Sequence, residues 1–360
     1  MIFDIAWLRV GLCFGLLGSL VVGQLPAASA QSDPAGFTTV INAPPTIIGR
    51  DDSIGSNTQL NVFDAEDVST EVGSGFNAGV PFPFGSSTNV ELNLFDGRVN
   101  FDFTANSGST TNILGGSLGS FAEANSGSVV NISGGLVSAQ LNANNGSEVN
   151  ISGGSVGVAM DANSGSVVNI SGGSIGPQFE AFAGSEVNVS GGTFGSNFDA
   201  LPGSNVTFTG GEFLLNGEPP ANPASVTLSG TDVLTGTLED GSVFIFSAEG
   251  GDELSGVTLQ SGTLPENNVL PLVVFDDSGR TIGGLRSGQS LTLLEGGSVA
   301  DHFSAVNATL DMQGGTINGN LQLVDSAADI SGGTLTAVDA YTGSTLNISC
   351  LLYTSPSPRD

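Results

Sequence analysis

Lysine is absent from this chain of 360 residues, and cysteine, tryptophan, tyrosine and histidine are nearly absent. The two cysteines, Cys13 and Cys350, lie in terminal segments whose composition differs from the rest. No disulfide framework or thiolate metal site is therefore expected between those segments. The chain has six arginines and 35 acidic residues, so its formal net charge is −29. A surface of this charge repels nucleic acid and anionic lipid and concentrates cations, so the composition predicts no nucleic-acid partner.

Long apolar runs are also scarce. The longest, from Gly11 to Gly23, is followed by Ala28-Ser29-Ala30, which is typical of a secretory signal peptide with its cleavage site. Every later run falls short of the roughly 20 apolar residues that a spanning helix needs. We expect residues 1–30 to be a signal peptide, the visible chain to have no transmembrane segment, and the protein to be secreted, extracellular or on the cell surface.

The last residues, 350–360, read C-L-L-Y-T-S-P-S-P-R-D and break the local pattern. The segment begins directly after Ser349, where the repeat described below predicts Gly-Gly. The segment resembles a translated sequencing adapter, so we expect a non-native tail there. On that interpretation the natural chain continues beyond Ser349, and its anchoring mode lies outside the visible sequence.

Glycine, in contrast, is abundant and regularly placed. An Asn-Ile-Ser-Gly-Gly motif or a close variant of it recurs every nineteen residues through the middle of the chain. The glycine pairs are Gly115-Gly116, Gly134-Gly135, Gly153-Gly154, Gly172-Gly173, Gly191-Gly192 and Gly210-Gly211. A fixed period near twenty residues is typical of a solenoid, in which each repeat buries its apolar face only against its neighbours.

The repeat from Gly165 to Ala183 shows the local pattern. Val168 and Ile170 flank Asn169, and residues 179–181 repeat the alternation of apolar and polar side chains. A period of two is typical of strands, and glycine pairs at such spacing disfavour a helix. We predict an all-β fold, a right-handed parallel β-helix with coils of 18–19 residues and an irregular β insertion.

Stacking such coils at about 4.8 Å places equivalent residues in columns. Three inward columns are predicted, namely Ile113, Ile132, Ile151, Ile170, Val189 and Phe208; Val130, Val149, Val168, Val187 and Val206; and Phe103, Ala122, Leu141, Met160, Phe179 and Phe198. Two outward columns are predicted, namely Asn112, Asn131, Asn150, Asn169, Asn188 and Thr207; and Thr104, Glu123, Asn142, Asp161, Glu180 and Asp199. We expect the amides of the first outward column to hydrogen-bond along the axis.

The repeats divide the rest of the chain. The predicted parts are a signal peptide at 1–30, an N-terminal cap with irregular first coils at 31–84, regular coils at 85–213, an irregular β segment at 214–285, a second β-helix block at 286–349 and the tail at 350–360. The second block has Gly297, Gly315 and Gly333 at a spacing of eighteen residues. A cap is expected because an open solenoid end exposes unpaired strand edges.

At this level the chain resembles a known group. The repeats, the Gly-Ser corners and the secretion signal are similar to those of secreted β-helical repeat proteins of planctomycete-type bacteria, and more broadly to autotransporter adhesin passenger domains. The resemblance is clearest over residues 85–213. It implies a surface or extracellular role and carries over no catalytic residue.

Calcium is the ion that the carboxylates of the repeat are best suited to bind. Asp161, Glu180 and Asp199 are predicted to lie one above another, and hard oxygen ligands suit calcium. Two unit charges one coil apart repel by only about 0.9 kcal/mol in water, so the column does not require a metal. Calcium-binding nonapeptide repeats would also place the third glycine one residue earlier than this chain does. No other cofactor is predicted.

Enzymatic activity is the weaker alternative. A β-helix lyase needs a basic residue near the substrate carboxylate, and none occurs between Arg98 and Arg280. A hydrolase needs convergent carboxylates, whereas these acids recur in columns, as a solvated face does. We therefore predict a structural or adhesive protein without catalytic residues. Its expected partner is an extracellular polymer or a cell-surface partner, with self-association as a further possibility, and a calcium-binding repeat module or a glycan lyase or hydrolase are the alternatives.

Overall fold

The computed structural model describes residues 36–43, 52–63, 71–79, 87–270, 272–275 and 282–349. The predicted signal peptide at 1–30 and the tail at 350–360 lie outside these ranges. Every regular element within the ranges is a β-strand. Within them, no helix is long and apolar enough to cross a membrane.

The strands follow one another along the chain with short connections. They are β1 (Thr39–Ala43), β2 (Ser53–Ile54), β3 (Thr58–Val62), β4 (Glu71–Val72), β5 (Asn77–Ala78), β6 (Val90–Leu94), β7 (Arg98–Val99), β8 (Thr104–Ala105), β9 (Ser109–Ile113), β10 (Ser117–Leu118), β11 (Ala122–Ala124), β12 (Val129–Ile132), β13 (Leu136–Val137), β14 (Leu141–Ala143), β15 (Glu148–Val156), β16 (Met160–Ala162), β17 (Val167–Ile175), β18 (Phe179–Ala181), β19 (Glu186–Phe194), β20 (Phe198–Ala200), β21 (Asn205–Leu215), β22 (Val226–Thr227), β23 (Val233–Leu238), β24 (Val243–Ser247), β25 (Glu253–Ser261), β26 (Leu272–Val274), β27 (Gly284–Leu285), β28 (Ser290–Leu293), β29 (Phe303–Val306), β30 (Thr309–Met312), β31 (Thr316–Val324), β32 (Ala327–Ile330), β33 (Thr334–Ala340) and β34 (Thr345–Ile348).

Most strands pair in parallel with the strand one coil away, at the spacing that the sequence repeat predicts. Ile132 pairs with Ile151, which in turn pairs with Ile170. The strands build a β-solenoid of about 15 coils. The prediction of a parallel β-helix is therefore confirmed.

The first stack of coils has three sides. The first side, here called the ladder face, consists of β1, β3, β6, β9, β12 and the first halves of β15, β17, β19 and β21. The second side consists of β4, β7, β10, β13 and the second halves of β15, β17 and β19. The third side consists of β2, β5, β8, β11, β14, β16, β18, β20 and the start of β25.

The core of this stack consists of the predicted inward columns. The columns of Ile151, Val149 and Met160 are all buried, with at most 2% of any side chain exposed. Burying one such side chain contributes roughly 1.5–3 kcal/mol, so the coils are held together mainly by contacts with the coils above and below. The strand phase predicted from the sequence is confirmed.

The glycine pairs form the corner between the ladder face and the second side. A Cβ atom on Gly134 would overlap the carbonyl oxygen of Leu114 in the coil below. Gly135 has a φ of +69°, a conformation that other residues rarely adopt. Close stacking and backbone conformation therefore both require glycine here, which explains why the pairs recur in register.

The irregular segment contains an antiparallel hairpin. β23 pairs with β24, and it also pairs with the extended end of β21. β25 then returns to the first stack and pairs in parallel with β20 and β21, while β22 runs antiparallel to it. The predicted irregular β insertion is thus confirmed, and it ends with one more coil of the first stack.

The hairpin lies between two stacks. Phe244 and Phe246 belong to the first core, where Phe246 packs 4.9 Å from the ring centroid of Phe198. The alternate residues Val243 and Ile245 are also buried, and β24 contacts β27, β29 and β31 of the second stack. Both faces of β24 are buried, which agrees with its run of four apolar residues from Val243 to Phe246.

The second stack has its own core. One sheet consists of β26, β28, β30, β32 and β34, and the other of β27, β29, β31 and β33. Leucines such as Leu291, Leu310 and Leu321 dominate the cluster between them. Its first coils are spaced by nineteen or twenty residues, as in the pairing of Leu291 with Leu310, and its later coils by the predicted eighteen, as in the pairing of Leu310 with Ala328.

Candidate functional site: ladder face, acid column and inter-stack cleft

The ladder face has a continuous column of asparagine side chains. Each amide Nδ2 donates to the Oδ1 of the asparagine one coil earlier. The bonds are Asn61 to Asn42 (3.1 Å), Asn93 to Asn61 (2.9 Å), Asn112 to Asn93 (2.8 Å), Asn131 to Asn112 (2.8 Å), Asn150 to Asn131 (3.0 Å), Asn169 to Asn150 (2.8 Å) and Asn188 to Asn169 (3.0 Å). The expected amide ladder is confirmed, and it begins three coils earlier in the chain than the repeat had indicated, at Asn42.

A second amide ladder lies at the corner between the third side and the ladder face. Its bonds are Asn106 to Asn77 (3.2 Å), Asn125 to Asn106 (3.3 Å), Asn144 to Asn125 (3.0 Å) and Asn163 to Asn144 (3.2 Å). Sequence analysis had assigned these residues to a turn only. Their nineteen-residue spacing was the available signal.

Carboxylates on the ladder face are tied into the amide column. Glu148 Oε1 accepts a 2.9 Å hydrogen bond from Asn150, and Glu91 Oε1 accepts one of 2.6 Å from Asn93. Valines alternate with glutamates in this neighbouring column, since Val167 pairs with Glu148 and Glu186. The face is therefore flat, periodic and mostly polar.

The predicted acid column is present on the third side. Asp161 pairs with Glu180, and Glu180 pairs with Asp199. Glu253 follows Asp199 in the same column, which the sequence could not show because the insertion separates them. The structure thus brings the predicted residues together and adds a fourth acid.

The environment of this column favours protonation. Burial raises the pKa of Asp161, although a hydrogen bond with Gln140 acts against the rise. Burial, with the charges of Asp161 and Asp199, raises the pKa of Glu180. Burial also raises the pKa of Asp199, whose Oδ1 accepts a 3.0 Å hydrogen bond from the Glu253 N–H. In the part of the chain that the structure describes, no group of three or more His, Cys, Asp or Glu side chains is arranged to hold a metal ion.

A buried carboxyl holds the insertion to the third side. Asp252, 5% exposed, accepts hydrogen bonds from the N–H groups of Phe198 (2.9 Å) and Ser247 (2.7 Å). Burial raises the pKa of Asp252 to about 6, against these hydrogen bonds. Nearby, burial raises the pKa of Tyr341 in the second stack to about 12. Sequence analysis gave no signal for this cluster, because Asp252 lies outside the repeat.

An ion pair joins the two stacks. Arg286 donates from Nε and from a terminal nitrogen to the two carboxylate oxygens of Glu212, at 3.1 and 2.8 Å. Its other terminal nitrogen donates to the Pro265 carbonyl at 2.7 Å. Arg286 is 7% exposed, and its hydrogen bonds lower the pKa of Glu212. A two-pronged pair of this kind fixes the relative position of the two groups.

Two clefts lie between the stacks. One, of about 610 Å³, follows the glycine-pair corner from Gly135 to Gly192 and is closed by Asp240 and by residues 299–301. The other, of about 680 Å³, is lined by residues on both sides of the Arg286 ion pair. Neither cleft was predicted from the sequence, because the path of the insertion could not be derived from the repeat.

Some phenylalanines lie outside the core near the N-terminal end. Phe63 and Phe95 stack with ring centroids 4.9 Å apart, and each is about 40% exposed. Arg98 lies over the ring of Phe101 at 5.7 Å. The sequence analysis did not predict these exposed rings.

Comparison with known proteins gives little further information. No family model matches the chain, and no curated protein matches it. Among solved structures the chain is similar to a TibC-catalyzed hyper-glycosylated TibA fragment, with 14% sequence identity and a TM-score of 0.29. The alignment covers 86% of this chain and 95% of that fragment. A likeness of this size carries no argument about activity, ligand or location.

Proposed function

We propose that this chain is a secreted or cell-surface structural protein that makes many weak contacts with an extended partner through its ladder face. The partner is a surface polymer or a second copy of the chain. The proposal assigns it no catalytic role and no resident cofactor. The observation that carries it is the unbroken asparagine column from Asn42 to Asn188.

The ladder leaves hydrogen-bonding capacity for such a partner. At Asn131 and Asn169 the column uses one N–H and one lone pair of the carbonyl oxygen. Each amide has two N–H groups and two lone pairs, so one donor and one acceptor at each of these coils face outward. Repeated at about 4.8 Å, such groups suit contacts that are individually weak and collectively strong.

The net charge of −29 sets the conditions for contact between copies. Repulsion keeps the copies apart at low salt, and divalent cations bridge acidic surfaces. We therefore expect self-association and retention on a dense surface to strengthen with millimolar calcium.

A matched pair of variants tests the role of the ladder face. Val167→Lys places a charged side chain in the middle of the face, whereas Val158→Lys makes the same change at an exposed corner away from it. We expect density-dependent retention on immobilised polysaccharide, and light scattering from self-association, to fall for Val167→Lys and to persist for Val158→Lys. If the wild-type chain stays monomeric and is not retained at any calcium concentration, the adhesive role is contradicted and the chain is only a passive spacer.

Calcium binding at Asp161, Glu180 and Asp199, and glycan cleavage, stay as alternative predictions. The column has gained a fourth acid, Glu253, but its four side chains are not arranged as a group that could hold a metal ion. A calcium titration followed by circular dichroism tests the calcium alternative, because a fold built on metal forms only when the ion is added. Release of reducing or unsaturated ends from acidic polysaccharides would support the enzymatic alternative.

A further inference from the structure

The cleft along the glycine-pair corner has the form of a binding groove. Its floor runs over four successive coils, from Gly135 to Gly192, a length of roughly 14 Å at the spacing of stacked strands. No side chain rises from these glycines, so a ligand can approach the backbone. The volume of about 610 Å³ falls within the range of small-molecule sites.

A column of hydroxyl groups forms one wall. Ser155 pairs with Ser174, and Ser174 pairs with Thr193, which gives one hydroxyl for each coil. Thr193 is 2% exposed, and its Oγ1 has no hydrogen-bond partner in the described part of the chain. A buried hydroxyl without a partner is costly. Ser155 and Ser174 of the same column are partly exposed, so their hydroxyls can reach a ligand in the cleft.

Two carboxylates also line the cleft. One is Asp301, which belongs to the second stack, whereas the hydroxyl column belongs to the first stack. Asp240 closes the end, where its Oδ2 accepts hydrogen bonds from the Gly192 N–H (2.7 Å) and the Ser242 hydroxyl (2.9 Å). Asp240 is thus occupied by the protein, whereas Asp301 faces the cleft.

The lining excludes most classes of ligand. It contains no basic residue to neutralise an anion, and its apolar side chains are limited to Val299 and Ala300. A cation is disfavoured, since the carboxylate of Asp240 already accepts three hydrogen bonds from Gly192 and Ser242. What suits the cleft is an uncharged chain rich in hydroxyl groups, which donates to a carboxylate and exchanges hydrogen bonds with hydroxyls.

We infer that this cleft binds a short neutral oligosaccharide, with the column of Ser155, Ser174 and Thr193 on one side of the sugar chain and Asp301 on the other. The inference rests on the proposed extracellular role and adds a class of ligand to it. It differs from contact at the ladder face, because one chain binds one oligosaccharide in solution without any need for avidity.

The test uses maltotriose, cellotriose and mannotriose, with trigalacturonic acid as the acidic counterpart. Isothermal titration and ligand-observed NMR on the full chain should show saturable 1:1 binding of at least one neutral probe and weaker binding of the acid. Ser174→Leu fills the cleft and should weaken binding tenfold or more. Leu136 occupies the same column one coil before Ser155, so a leucine at this position is compatible with the fold.

Ser117→Leu is the matched control, because Ser117 lies in the same column one coil before Leu136 and outside the cleft. It should bind the sugar as the wild type does, while Asp301→Asn should bind several-fold more weakly. The inference is overturned if no neutral probe binds, if Ser174→Leu binds as well as the control, or if a Ser-Gly peptide binds in place of the sugars. Retention through the ladder face is measured in a separate experiment on a dense surface. A failure of the cleft proposal can therefore be distinguished from a failure of the proposed function.

Discussion

In the first stack the outward column beside Ile132 and Ile151 is asparagine from coil to coil, joined by side-chain hydrogen bonds. The equivalent column of the second stack contains Thr292, Asp311, Asp329 and Asn347. Among the described residues of that column, side chains of neighbouring coils are hydrogen-bonded only in the last pair, where Asn347 donates to Asp329 at 2.8 Å. Two carboxylates also lie on neighbouring coils there. Hydrogen bonds between neutral amides therefore stabilise the stacking of coils in the first stack. In the second stack, repulsion between two carboxylates in the equivalent column acts against it.

The hydrophobic cores of the two stacks differ as well, and the first core is the larger. Six phenylalanines, Phe194, Phe198, Phe208, Phe213, Phe244 and Phe246, pack together where the hairpin meets the first stack. The second core is smaller, and its sheet of β27, β29 and β31 lies against the hairpin. The first stack thus has its own means of stability, and the second depends partly on docking.

The largest expected effect comes from a charge in either core. Ile151→Asp places an unpaired carboxylate in the middle of the first stack and should cost more than about 4 kcal/mol, which unfolds the central coils. Leu310→Asp should unfold the second stack and leave the first protected. Hydrogen exchange measured by mass spectrometry separates the two stacks. Loss of protection in the first stack on Leu310→Asp would show that the two are one cooperative unit.

A smaller change in the free energy of unfolding is expected when the buried carboxyl of the insertion, Asp252, loses its proton as the pH rises. The pKa of Asp252 is raised from 3.8 to about 6 in the folded chain, so the native state binds this proton more tightly than the unfolded chain does. The stabilisation is fully present below about pH 4 and is lost as the pH rises to about 6. A difference of this size corresponds to at most roughly 3 kcal/mol.

Urea unfolding at pH 4, 5, 6 and 7 measures this change in the free energy of unfolding. Asp161, Glu180 and Asp199, whose pKa values are also raised, act in the same direction. Asp252→Asn should flatten the dependence between pH 4 and 6, whereas the exposed Asp329→Asn should keep it. Stability that rises over that interval in the wild type would contradict the prediction.

The ion pair between the stacks should have a lesser effect. Arg286→Met removes the hydrogen bonds to Glu212 and Pro265 and should cost roughly 2 kcal/mol, since hydrogen bonds to charged groups contribute about 1.5–3 kcal/mol each and Glu212 is partly exposed. The loss of exchange protection should be confined to residues 282–349. Arg98→Met, at the far end of the first stack, is the control. An equal loss of protection in both stacks would contradict the docking role of Arg286.

The repeat in the sequence was sufficient to predict the first stack and its strand phase, because each coil buries the same columns against its neighbours. The second amide ladder was readable in the nineteen-residue spacing of Asn106, Asn125 and Asn144, but the sequence analysis did not predict it. The positions of Asp252, Glu253 and the inter-stack clefts could not be predicted. They depend on the path of the hairpin, and that path is determined by burial of β24 on both faces and by long-range pairing that no local period records.

The smallest effect is expected at the amide ladder itself, and it bears most directly on the difference between the stacks. Asn150 donates to Asn131 and to Glu148 and accepts from Asn169, so Asn150→Ser removes three hydrogen bonds on a half-buried face. Such bonds contribute about 0.5–1.5 kcal/mol each, and water replaces part of the loss, so we expect a cost of about 1 kcal/mol. Thr292→Ser makes a comparable change in the second stack, where the column has no ladder, and should cost less. If the two variants are equally stable in urea unfolding, the side-chain ladder does not add to the stability of the first stack, and the difference between the stacks lies in their hydrophobic cores.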